Sequence, residues 1–131
     1  MGVISFSKKP EETWSAAGWI FRQALDDVAS EYPDDAEMAA EFEEAKAAYS
    51  GLIVTLLEPS LGIRITDAIR EVVAGILAGS IQSRICVPTP DKERIVERYH
   101  KALVELLNVI PSSPERRGGD LKRGKRRTDG T

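Results

Sequence analysis

A chain of 131 residues, 42% hydrophobic and 30% charged, has the size and composition of one globular domain with a single core. Its one cysteine, Cys86, excludes an intrachain disulfide and a cysteine-built metal cluster, which points to a reducing, cytoplasmic setting. The net charge of −3 conceals an asymmetry, because residues 112–131 hold seven Lys/Arg against three Asp/Glu, or +4, and the remainder therefore carries −7.

In chain order, four segments show helical periodicity, separated by Tyr32-Pro33-Asp34, Glu58-Pro59-Ser60 and Val87-Pro88-Thr89-Pro90. The first is expected over about residues 11–31, after Pro10, with Trp14, Ala17, Phe21, Leu25 and Val28 on one stripe at 3,4 spacing. The second, about 34–58, gathers Met38, Phe42, Ala45, Tyr49, Leu52, Ile53 and Leu56. The third, from about 61 or 66 to 83, gathers Ile65, Ile69, Val72, Val73 and Ile76. The fourth, about 91–109, gathers Ile95, Tyr99, Leu103 and Leu106. Short connections make successive helices antiparallel, so the expected fold is all-α: an up-down four-helix bundle over 1–110. Residues 111–131 carry one leucine and no aromatic residue, so they are expected as a flexible basic tail. No uncharged run approaches the roughly 20 residues of a spanning helix, and no membrane partner is expected.

Residues 14–25, WSAAGWIFRQAL, put two tryptophans in the first segment. On one helix Trp19 would project about 160° away from Phe21, onto a side shared with Gln23 and Asp26. Tryptophan is enriched among residues that dominate protein interfaces, so this side reads as an anchor for a partner. From Asp26 to Ala45 the chain contains no Lys or Arg, and Asp26, Asp27, Glu31, Asp34 and Asp35 begin an acidic elbow suited to a cationic partner. In the tail, Lys122, Arg123, Lys125, Arg126 and Arg127 form a cluster of the kind that binds nucleic-acid phosphates without reading sequence.

Catalytic chemistry has few footholds. Glu97-Arg-Tyr-His100 matches the Glu-x-x-His spacing of di-iron bundles, but the helical stripe leaves Glu97 outside the core and no second motif accompanies it, so neither a metal nor a cofactor is expected. His100 is the only histidine, which deprives most nucleophilic schemes of a base. Arg94-x5-His100 is similar to the Arg-x(4–6)-His pattern of the HEPN ribonucleases, small all-α proteins whose dimer brings both side chains to a phosphodiester. The polar residue that usually follows the family's arginine is Ile95 here. The resemblance would imply RNA cleavage by Arg94 and His100.

The expected function is therefore a non-enzymatic protein–protein interaction module, an immunity-like or inhibitor-like protein or a small subunit of a larger assembly. Its partner surfaces are the Trp19 side and the acidic elbow, and a homo-oligomer is one form such an assembly takes. The alternatives are a nucleoprotein subunit that binds RNA or DNA through its tail, and a HEPN-like ribonuclease.

Overall fold

A computed structural model of the chain describes residues 2–47, 51–85 and 91–111. The basic tail, with Lys122 to Arg127, lies outside the described residues, as do Cys86 and Tyr49. The expected four helices are present: α1 (Gly18–Glu31), α2 (Ala36–Ala47), α3 (Pro59–Ala78) and α4 (Lys92–Val109). The molecule is nevertheless not an all-α four-helix bundle. A mixed sheet of three short strands, β1 (Gly2–Ser5), β2 (Thr13–Ala16) and β3 (Leu52–Ile53), is ordered β2-β1-β3.

Two strands, β2 and β3, lie in segments expected to be helical, and the central β1 lies in the N-terminal residues, where no element is expected. Pro10 opens a single 3₁₀ turn over Pro10–Glu12 rather than a long helix, and the chain then runs extended. Val3-Ile4-Ser5-Phe6 turns Ile4 and Phe6 inward, and Thr13-Trp14-Ser15-Ala16 turns Trp14 and Ala16 inward, the period-2 alternation of a half-buried sheet. β1 pairs antiparallel with β2, Ile4 opposite Trp14, and parallel with β3, Ile4 opposite Leu52. Trp14 is thus a strand residue, not a helical one, and helix one starts seven residues later than expected. The expected second helix likewise breaks: Leu52 and Ile53 become β3, and Val54–Leu56 a 3₁₀ turn.

Close approach fastens the sheet to α1. A Cβ placed on Gly2 would lie 2.1 Å from Cγ of Phe21, so the ring packs directly on the bare backbone of β1. Trp14 is 2% exposed, and its indole N–H donates to the Ala102 carbonyl of α4 at 3.1 Å. At the other end of the fold, Gly79 takes a left-handed conformation, φ 84°, that ends α3, and the Ser80 amide bonds back to the Gly75 carbonyl. The returning Ile81 then covers Gly75, where a Cβ would meet its side chain at 2.5 Å. The Gly75/Gly79 pair therefore serves packing and a helix stop. One continuous core joins all four helices to the sheet, including Phe21, Val28, Phe42, Ile65, Ile69, Val72, Leu103 and Leu106.

Candidate functional site

α1 faces α4 and the segment after α3, and along it the structure gathers its most distinctive side chains. Trp19, in the first turn of α1, is 38% exposed. The Arg98 guanidinium lies over its ring at 5.7 Å from the centroid, within cation–π range. The Tyr99 ring is 6.5 Å away, tilted by 34°. Trp14 is buried and Trp19 exposed, but the expected reason, two rings diverging around one helix, does not hold, because Trp14 belongs to β2 and Trp19 to α1.

Beneath this platform sits Asp27, the one fully buried charged side chain among the described residues, 3% exposed. Two turns beyond Trp19, it lies about 80° round the helix from that residue, next to buried Ile20 and Ala24. Its Oδ2 accepts from the Tyr99 hydroxyl at 2.6 Å and from Ser83 Oγ, and its Oδ1 accepts from the Arg84 backbone N–H at 2.8 Å and from Gln23 Nε2 at 3.0 Å. Four donors on one carboxylate satisfy an otherwise costly buried charge. They also tie α1, α4 and the chain after α3 together. Burial, followed by donation to Asp27, pushes the Tyr99 hydroxyl far above the ordinary tyrosine range. The Tyr99 phenol therefore stays protonated as the donor that Asp27 requires.

Asp27 consequently belongs to no exposed elbow, whereas Gln23 is half-buried as its support. Of the remaining acidic residues, Asp26, Asp35, Glu37 and Glu43 are engaged by cations, and Asp35 is half-buried. Asp26 pairs with Lys46 at 2.6 Å, and Lys46 also meets Glu43 at 2.7 Å. Asp35 caps α2 by accepting the Met38 amide at 3.1 Å, which with Arg64 holds its carboxyl below the usual range. Arg64 bridges Asp35 at 3.2 Å and Glu37 at 3.0 Å, and Tyr32 donates to Glu71 at 2.8 Å. The stretch without a lysine or arginine in sequence is therefore supplied with cations from α3 and the end of α2. Glu31 and Asp34 are exposed and form no ion pair among the described residues.

Arg94 and His100 do not converge within the chain. They stand six residues apart on α4, about 120° from one another around its axis, and Arg94 faces Asp91 at 3.5 Å. Glu97 is exposed and His100 half-buried, and among the described residues no three His, Cys, Asp or Glu side chains come together as a metal site. A groove of about 300 Å³ lies between Phe6, Val54, Leu57, Ile63 and Thr66. Of its polar groups, Thr66 is committed to the Gly62 carbonyl, and Arg70 to Asp67 and to the Pro111 carbonyl.

Among the described residues, no helix is long and apolar enough to cross a membrane. Neither a protein-family model nor a curated protein nor a solved structure matches this chain.

Proposed function

We propose that this chain is a non-enzymatic protein–protein interaction module, inhibitor-like or a small subunit of a larger assembly, that docks through the Trp19 side of α1. The observation that carries the reading is Trp19 itself: a large aromatic ring at the surface, held in one orientation by Arg98 and by Tyr99, whose hydroxyl is fixed on Asp27. An anchor whose rotamer is set before binding loses little conformational entropy on association. The elbow contributes through Glu31, about 18 Å along α1 from Trp19, and Asp34 just beyond the helix end, both exposed and without an ion-pair partner among the described residues. Its paired carboxylates have their charge offset inside the fold. A cytoplasmic location belongs to the same reading and rests on the single cysteine.

The test is quantitative affinity capture from the native lysate with wild-type and Trp19→Ala baits. A stoichiometric partner lost about tenfold or more on the variant supports the reading. The variant should stay folded within about 1 kcal/mol of wild type, since the ring lies at the surface, whereas Trp14→Ala should cost about 3 to 5 kcal/mol. Equal capture by both baits refutes the reading. Capture of nucleic acid that disappears on removing residues 112–131 would favour a nucleoprotein subunit, and RNA cleavage abolished by His100→Ala would favour a ribonuclease.

A further inference from the structure

We propose that the Trp19–Arg98 surface docks an acidic stretch of a partner polypeptide, a deepening of the reading above that rests on it. The ground is a local imbalance of charge. Among the described arginines, Arg64, Arg70 and Arg94 each have a carboxylate partner, and Arg22, Arg84 and Arg98 have none. Two of them, Arg98 and Arg22, flank Trp19. Arg98 lies over its ring, and Arg22 follows one turn along α1 on the same side. Arg84 is tied to the same helix through its backbone N–H on Asp27, two turns further along α1.

The carboxylates that could neutralise these arginines are already used. Asp27 is enclosed by its four donors, and Asp26 is turned to Lys46. Glu97, next to Arg98 on α4, projects about 100° around that helix. The surface is thus cationic although the chain as a whole is not.

Stacking on an indole leaves the edge of a guanidinium free, and that edge presents parallel N–H donors matched to a carboxylate. An acidic side chain can bind Arg98 without displacing it from Trp19, and the exposed part of the indole offers apolar area to a neighbouring aliphatic residue. Nucleic acid fits less well: a base would have to take the ring position that Arg98 and Tyr99 already occupy.

Fluorescence anisotropy on the full chain tests this with a short labelled Glu-rich peptide carrying one leucine. A Lys-rich peptide and an oligo(dT) of matched charge serve as comparisons. The expected result is binding of the acidic peptide that weakens about tenfold with Arg98→Gln, is not restored by Arg98→Lys, and declines with added salt. Because these variants retain residues 112–131, binding through that basic segment would survive them and would overturn the proposal. Absence of peptide binding at low salt, or tighter Trp19-dependent binding of oligo(dT), would also overturn it. A second readout needs no ligand: with each ion scaled by its quenching of free tryptophan, iodide should quench the Trp19 fluorescence more strongly than caesium does, and Arg22→Gln with Arg98→Gln should remove that preference. Equal quenching in wild type refutes the cationic surface. If the acidic peptide fails while lysate capture still depends on Trp19, the inference falls and the interaction reading stands; if capture is also indifferent to Trp19, both fall.

Discussion

Asp27 is worth more to this fold than any other single polar side chain among the described residues, because it is buried and four donors on three segments depend on it. Removing the carboxylate leaves the Tyr99 hydroxyl and the Arg84 N–H without an acceptor in the interior. Asp27→Ala should therefore cost about 3 kcal/mol or more, and Tyr99→Phe about 1 to 2. The double variant should cost less than their sum, since both changes remove one hydrogen bond. Urea melts of the three variants decide this, and a cost below about 1 kcal/mol for Asp27→Ala would show that the carboxylate does not hold the segments together. The residue type pointed the wrong way, because an aspartate in an acidic run is surface by default. Its angular position pointed the right way: on the wheel of α1, Asp27 sits beside Ile20 and Ala24, both buried. What no local pattern could supply was the partners, Ser83 and Tyr99, more than fifty residues away.

Elements differed in legibility according to how many inward positions each one offers. α4 fell within a residue of its expected bounds, because eighteen residues repeat the apolar stripe several times. A four-residue strand offers only two inward positions. In β1 these are Gly2 and Ile4, which carried little signal, and Trp14 fitted by coincidence onto a helical stripe that begins at Gly18. The same limit hid β3, whose two residues continued the apolar pattern of α2. Gly2 tests whether β1 really lies on α1. A methyl group there would strike Phe21, while one on Gly18 would meet nothing within 4 Å. Gly2→Ala should destabilise by about 1 to 3 kcal/mol through overpacking, and Gly18→Ala should be neutral or stabilise by about 0.5 kcal/mol by lowering the entropy of the unfolded chain. Thermal melts of the pair compare a strand contact with an open helix terminus, and equal effects would place β1 elsewhere.

For the whole molecule, the two described tyrosines tie distant parts together as hydrogen-bond donors, Tyr32 from the elbow to α3 and Tyr99 from α4 to α1. This makes the fold sensitive to alkali. Burial and donation to Glu71 push the Tyr32 hydroxyl from 10.0 up to about 12, and burial and Asp27 raise that of Tyr99 further still. In the unfolded chain both lose their protons near the ordinary tyrosine value of 10.0, whereas the folded chain keeps them. Above that pH the unfolded state therefore binds fewer protons, so stability is full below pH 10 and falls as pH rises through the raised values. Enclosed Tyr99 should supply a slope approaching 1.4 kcal/mol, in round terms about one proton's worth, per pH unit. Tyr32 should add less because solvent screens its half-buried hydroxyl. Denaturant melts from about pH 9 to about pH 11 should show this decline. Tyr99→Phe should start less stable and fall more gently, its curve converging on that of wild type as the pH rises. Parallel curves for the two proteins would mean that Tyr99 ionises as easily folded as unfolded, and that the carboxylate beneath Trp19 is not closed off from water.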